Sequence, residues 1–423
     1  KRKLFFSLIL SIIYSFFYVF GNLIDKTQTD FYINFLTDNI LSNTIYVYTF
    51  TIIFYFFINH IINFLENKLG KISKLKYKTR YSVLIFLLIL FSWIPYLMNF
   101  YPGLMSPDSL YQWCQSINYC PITNHHPVIH TLFISIFSKI GIKIGNANFG
   151  LFLYSFSQMV LLALTFTYLM TFIIKKCLNK YIVICMLLFF MFVPIFGYYS
   201  VTMWKDVLFG AFVLLLMIQI YKISSNDFAQ LNDYIIMFLC TIGVGLFRSN
   251  GMIISVILTM ILIIFLKQKR AIIFKTMIIP LILCVIIKGP LLTTLNIKGG
   301  NFVENLGIPL RQISGVIAKG YEIDSEDYNF VNKLVPIDII NEKYTPDSVD
   351  EIKFSNLFDN SFLEDNKSEF FRVWFNIFKK YPIEYTQIYL RSTYGFWYPE
   401  SQGYGVHKWA IENNDYGLYS NSK

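Results

Sequence analysis

The chain has 423 residues, of which 55% are hydrophobic, 19% aromatic and 15% charged, and its formal net charge is +10. A soluble domain carries about 25% charged residues, so the composition excludes an ordinary soluble globular protein. The charge is unevenly placed and points away from nucleic acid: residues 1–290 hold 23 Lys/Arg against 8 Asp/Glu, whereas residues 291–423 hold 13 against 18.

The first apolar run follows Lys1-Arg2-Lys3. It is long and lacks a small-x-small cleavage site, so it reads as an uncleaved first span, not a signal peptide. The missing initiator Met reads as trimming or fragmentation, and the polar end YGLYSNSK as a cut. Nine apolar segments follow one another at about 4–22, 44–63, 82–100, 150–174, 181–198, 204–221, 234–247, 251–266 and 271–289. Most have the length that crosses a bilayer core of about 30 Å as a helix. The seventh and eighth are short and fit a hairpin broken at Arg248-Ser249-Asn250-Gly251.

With the N-terminus inside, the inner segments carry 17 Lys/Arg, among them Lys68, Lys71, Lys74 and Lys76, and the outer segments up to Arg248 carry five. The positive-inside rule supports that orientation. Parity then places four polar clusters at the outer ends of spans. These are the loop 101–149, the turn Met203-Trp204-Lys205-Asp206, the turn at Arg248, and the region after Pro290. Ionisable residues collected near membrane depth are functional candidates by default.

The outer loop carries the densest chemistry. Ser106 is an N-cap candidate, Pro107 suits the first helical position and Asp108 favours the helix dipole. A cap does not exclude catalysis. A carboxylate fixed at a helix start can act as a general base, its pKa tuned by partial burial. His126 and His130, four residues apart, are candidates for helping catalysis, with His125 and Asn124 behind them; Pro127 biases His126 away from helix. A divalent-cation site built from His126, His130 and Asp108 is the alternative; no cofactor is otherwise required. Residues 127–148 are interrupted by Lys139, Gly141, Lys143 and Gly145. With Val128, Ile129, Leu132, Phe133, Ile136 and Ile140 at helical spacing, they read as an amphipathic helix lying in the outer interface. Cys114 and Cys120 share this loop, and both the disulfide and two free thiols remain open. None of the six cysteines has zinc spacing.

Lys205 reads either as a snorkelling lysine paired with the neighbouring Asp206 or as a ligand for a lipid phosphate with Asp206 assisting. Arg248 suits phosphate through its forked donors, and Asn250 follows it. Such a phosphate site needs positive charge beside a carboxylate that is not neutralised by it. Residues 291–423 contain no 18-residue apolar window and read as a small, mostly helical extracytoplasmic domain. Near its end Arg391 and Trp397 are substrate-binding candidates in a Tyr- and Trp-rich stretch, which fits an interfacial belt or a sugar-stacking surface.

PGLMSPDSLYQW, NHHPVIHTL, MWKDVLFG, LFRSNG and YGFWYP, in that order, resemble a bacterial membrane-protein family that is itself similar to the GT-C glycosyltransferases, relatives of protein mannosyltransferases and lipid A aminoarabinose transferases. The resemblance covers about residues 99–251 and, more weakly, YGFWYP. It implies an all-α polytopic membrane protein: a GT-C-like bundle over 1–290 and an extracytoplasmic region over 291–423 that stops before further spans. It implies an essential outer-loop acid, matched by Asp108, and a polyprenyl-phosphate-linked sugar donor. Here the acid follows the third span, whereas the GT-C pattern has it after the first. Lys205 and Arg248 match by location alone.

The expected function is an integral membrane glycosyltransferase of the bacterial cell envelope. It would pass sugar at the outer face to a glycan, lipid or protein acceptor, with membrane lipid as its surroundings and no nucleic acid involved. A transporter or flippase for a lipid-linked glycan is the alternative. Weaker readings are a lipid-binding protein and a histidine-dependent acyltransferase.

Overall fold

The computed structural model describes residues 2–27, 32–69, 77–176, 180–225, 230–401 and 410–420. Of the lysines used for orientation, Lys1, Lys71, Lys74 and Lys76 lie outside the described residues. The chain is mostly helical and forms two compact units, residues 1–71 with 301–406 and residues 72–300 with 407–423. The boundary expected at residue 290 divides the chain by polarity. The compact units are discontinuous in sequence instead, and the first two helices group with 301–406.

In the first unit, α1 (Arg2–Lys26) and α2 (Ile40–Leu69) pack as a pair. Ser7, Ser11 and Ser15 lie buried along α1, and the Ser7 hydroxyl donates to Asn59 Oδ1 at 3.1 Å. Small residues let membrane helices approach, and polar side chains join them where lipid offers no hydrophobic drive.

The second unit contains the remaining long apolar helices. They are α3 (Thr79–Asn99), α6 (Ala147–Lys175), α9 (Lys205–Ser224) and the helix Lys267–Thr294. With α1 and α2 they make six helices, among the described residues, long and apolar enough to cross a membrane. The fifth expected span is two helices, α7 (Lys180–Phe192) and α8 (Pro194–Ser200), bent by 52°. Pro194 has no N–H to continue the first helix and starts the second at its favoured position. The seventh and eighth are α10 (Leu231–Phe247) and α11 (Ser249–Phe265), 17 residues each. At 1.5 Å per residue such a helix is about 25 Å long, short of the bilayer core. The break falls at Arg248, whose backbone is extended (φ −146°, ψ 143°). The last helix, α12 (Lys267–Thr294), carries π-helical turns at Phe274–Ile278 and Ile287–Leu291.

Much apolar surface faces outward. On α11, Ile253, Ile254, Ile257, Met260, Ile261, Ile264 and Phe265 are all exposed. Such a stripe would drive aggregation in water and is expected against lipid. The helix predicted for the outer loop is α5 (Val128–Ile144). Leu132, Ile136, Ile140, Ile142 and Ile144 are exposed, whereas His130, Thr131 and Ser138 are buried. The polar side of α5 is therefore the one packed inward. It crosses α6 closely: a Cβ on Gly141 would stand 2.8 Å from the Cα of Gly150, so only glycine fits.

Two short parallel pairings organise the loops of this unit. β1 (Leu104–Met105) pairs with β3 (Thr202–Met203), with Met105 opposite Met203. β2 (Thr123–Asn124) pairs with β4 (Lys298–Gly299). Each strand of the first pair leads at once into a helix, α4 (Pro107–Ser116) or α9. Those two helices therefore start side by side.

The part of the first unit after residue 300 is built of short helices around its own core, including Leu310, Ile313, Phe330, Val331, Phe370, Val373 and Tyr385. Inside it, Lys319 and Glu384 form an ion pair at 2.7 Å with both side chains 4% exposed.

Candidate functional site

The β1–β3 register decides which side chains meet. Asp108 stands three residues after Met105 and Lys205 two residues after Met203. The Lys205 ammonium donates to Asp108 Oδ2 at 2.9 Å. Ser106 caps α4, accepting from the Ser109 N–H at 3.3 Å, and the Ser109 hydroxyl donates to the Met203 carbonyl. The cap predicted from Ser106-Pro107 thus also ties the start of α4 to the strand that delivers Lys205.

His126 follows β2 by two residues and completes the cluster. Its Nδ1 lies 3.1 Å from Lys205 Nζ and 3.9 Å from Asp108 Oδ2. An ammonium has only protons to offer, so Nδ1 is the bare acceptor and the ring proton sits on Nε2. His125 is exposed and stacks edge-on against His126 at 4.4 Å.

The second charge pair is continuous with the first. Asp206 Oδ1 lies 3.3 Å from Arg248 Nη1, and the charges of Lys205 and Asp108 both reach Asp206. The neighbour pairing considered for Lys205 and Asp206 is not the one formed. Lys205 goes to Asp108, and Asp206 goes to Arg248. The carboxylate expected to escape neutralisation is therefore paired. It remains 48% exposed, however, and among the described residues no hydrogen bond occupies its other oxygen. Asn250 lies exposed in the first turn of α11.

Electrostatics fix the resting protonation states. Burial pushes the Asp108 pKa up, but the charge and hydrogen bond of Lys205 outweigh it, so the net shift is downward and Asp108 is ionised at neutral pH. Burial first, and then the Lys205 charge, lower His126 to about 4, against the pull of Asp108. His126 is neutral, in agreement with its role as acceptor.

His130 is not part of this contact. It is fully buried, its Nδ1 lies 2.8 Å from Gln112 Oε1, and its Nε2 lies 2.8 Å from the Tyr154 hydroxyl. Burial lowers its pKa to about 3. With both nitrogens occupied it cannot meet a substrate. It is a positioning residue, and the metal set His126, His130 and Asp108 is not assembled. Among the described residues no group of three or more His, Cys, Asp or Glu is placed to hold a metal ion.

What His130 positions is visible along α6. The Tyr154 hydroxyl lies 3.1 Å from Gln158 Oε1, and Gln158 Nε2 reaches the carbonyls of Tyr199 at 3.1 Å, Ser200 at 3.2 Å and Thr202 at 2.7 Å. A buried polar chain thus holds the segment that ends in Lys205. A glutamine inside an apolar span was the available signal for it.

Arg391 and Trp397 lie in the other compact unit. Arg391 is 3% exposed and donates to the Thr27 carbonyl at 2.8 Å and the Ile33 carbonyl at 3.0 Å. Trp397 packs on Phe17 at 5.2 Å and donates to Thr393 Oγ1 at 3.2 Å. Both take part in the packing of that unit, and for the buried Arg391 this structural role replaces the expectation that it binds substrate.

Cys114 and Cys120 form a disulfide. It clasps the end of α4 to the segment that leads through β2 to His125 and His126. Gln115 supports it, donating from Nε2 to the Pro121 carbonyl at 3.1 Å and to Thr123 Oγ1 at 3.0 Å.

Beside the charged cluster lies an apolar groove of about 350 Å³ between α6, α8 and α9. Leu162, Phe166, Phe196, Tyr199, Trp204 and Val207 are among its walls, and so is Asp206. Gly210 also lines it, and a Cβ there would meet nothing within 4 Å. The groove thus has one charged wall residue, adjacent in sequence to Lys205.

A family model matches residues 107–421, from the start of α4 onward. The chain belongs to the DUF6020 family. The family is one of unknown function. No curated protein and no solved structure matches the chain. The match begins one residue before Asp108 and takes in every residue of the charged cluster.

Proposed function

We propose that this DUF6020 protein is a membrane-embedded glycosyltransferase that takes sugar from a polyprenyl-phosphate donor and passes it to a hydroxyl or amine of a cell-envelope acceptor. The observation that carries the reading is the juxtaposition of the Asp108–Lys205–His126 cluster with an apolar groove that has Asp206 in its wall. A lipid phosphate is an apolar chain ending in an anion, and the groove and the cations answer those two parts. The resemblance of the Asp108 loop to the GT-C acid supports the same class.

The chemistry is a single displacement with inversion. The acceptor hydroxyl attacks the anomeric carbon, the bond from that carbon to the phosphate oxygen breaks, and polyprenyl phosphate leaves. Asp108 takes the acceptor proton. In the resting cluster Asp108 is a weak base, because Lys205 holds its pKa down. An arriving phosphate offers Lys205 a second anion. As Lys205 turns to it, burial raises the basicity of Asp108 and the leaving oxygens gain a charge partner. His126, relieved of Lys205, is free to bond the acceptor.

The extracytoplasmic face is the proposed side of the reaction. The lysine asymmetry supports an inner N-terminus, and the Cys114–Cys120 disulfide in the site loop suits an oxidising compartment. The test uses vesicles with the wild type, Asp108→Asn or neither, and mass spectrometry of envelope glycans and polyprenyl-phosphate sugars. Loss of one glycan modification with accumulation of its donor in Asp108→Asn is expected. Unchanged glycans and donor pools, with the protein inserted normally, would leave Asp108 as a helix cap and nothing more.

A further inference from the structure

Lys288 is absent from the polar clusters legible in the sequence, because it sits in an otherwise apolar run. In the structure it occupies the π-helical turn Ile287–Leu291 of α12. Its ammonium donates to the Arg248 carbonyl at 3.3 Å, which places it at the junction of α10 and α11 beside the Asp206–Arg248 pair. π-helical turns recur at functional positions because they re-aim one side chain out of the helical register.

The charges around it do not balance. Lys205 is paired with Asp108, and Arg248 with Asp206. Lys288 is half-buried, and among the described residues no carboxylate lies within ion-pair distance of it. Two carboxylates thus face three cations, with His126 neutral. One positive charge, that of Lys288, is left over beside the Arg248 carbonyl. An ammonium has three protons, and the Arg248 carbonyl uses one. Holding a cation this way at membrane depth is costly unless an anion joins it.

We propose that Lys288 binds the phosphate of an alkyl-phosphate ligand, together with Arg248. This rests on the lipid-phosphate reading given above and adds a binding residue to it. The competing role is structural: a lysine at the carbonyl end of α10 also caps that helix.

The test uses the purified full chain in lipid nanodiscs and three probes: farnesyl phosphate, farnesol and inorganic phosphate. The wild type is expected to bind farnesyl phosphate more tightly than farnesol and inorganic phosphate. Lys288→Gln is expected to weaken farnesyl phosphate about tenfold, the scale of one charge-assisted hydrogen bond, and to leave farnesol unchanged. Lys288→Arg is expected to retain binding. If Lys288→Gln binds farnesyl phosphate as the wild type does, the assignment falls while the lipid-phosphate reading stands. A loss of thermal stability in that variant would then give Lys288 to the capping of α10. If the wild type does not prefer farnesyl phosphate to farnesol, both fall. If inorganic phosphate binds as tightly as farnesyl phosphate, the site is a free-anion site and the lipid source is wrong.

Discussion

Acidification should destabilise this protein well before any carboxylate in the cluster is titrated. His126 and His130 have folded pKa values lowered from 6.5 to about 4 and about 3. In the unfolded chain both take up a proton as pH falls through 6.5, while the folded protein refuses it. Their contribution to stability is thus full above pH 6.5, shrinks as pH falls, and stops shrinking only below the folded values. Each histidine contributes about 1.4 kcal/mol per pH unit. From pH 6.5 to 4.5 the two together should cost about 5 kcal/mol, less some allowance for solvent reaching His126. The assay is thermal unfolding of the protein in nanodiscs at a series of pH values, with His130→Gln alongside. The wild type should lose stability steadily across that interval, and His130→Gln should show about half the slope, set by one histidine in place of two. A flat profile in the wild type would refute the burial argument for both rings. An equal slope in the variant would refute it for His130.

Other perturbations separate the parts of the account. Gly210→Phe should fill the groove, since nothing stands within 4 Å of a Cβ there; farnesyl phosphate and farnesol binding should both weaken, with little change in thermal stability. Cys114→Ser with Cys120→Ser should lower stability by about 2 kcal/mol, the chain-entropy value for so short a loop. It should also slow transfer by freeing the His126 segment, as read by unfolding and turnover together. Arg391→Met should cost on the order of 3 kcal/mol, because the Thr27 and Ile33 carbonyls lose a buried charged donor. Farnesyl phosphate binding should be unchanged, which separates packing of that unit from substrate contact.

The apolar helices were legible because span length and charge are composition-level signals. Arg248 marked one break in advance, as a cation amid apolar residues, whereas the bend at Pro194 lay hidden inside a segment that reads as one apolar run over 181–198. The meeting of Asp108 with Lys205 was only half legible. Parity put both at one end of the spans, but the pairing depends on Met105 standing opposite Met203, and a two-residue parallel strand leaves no pattern in sequence. The spacing of His126 and His130 would put both on one face only if both were in the helix, and Pro127 already argued against that. α5 begins after His126, at Val128, so the two rings part. Arg391 misled for a different reason: an aromatic- and charge-rich stretch looks alike whether it faces a ligand or its own core. Lys288 was hidden by hydropathy, and Gln158 by attention to charge alone.

The Asp108 cluster is proposed to move sugar from a polyprenyl phosphate. The most direct test is release of polyprenyl phosphate from a polyprenyl-phosphate sugar by the purified protein in vesicles, with envelope acceptor supplied. Release by the wild type, its dependence on acceptor, and its loss in Asp108→Asn with donor binding kept are expected. Release that is indifferent to Asp108, or movement of intact donor across the bilayer with no release, would contradict the proposal, and the latter would make the protein a carrier of lipid-linked glycan.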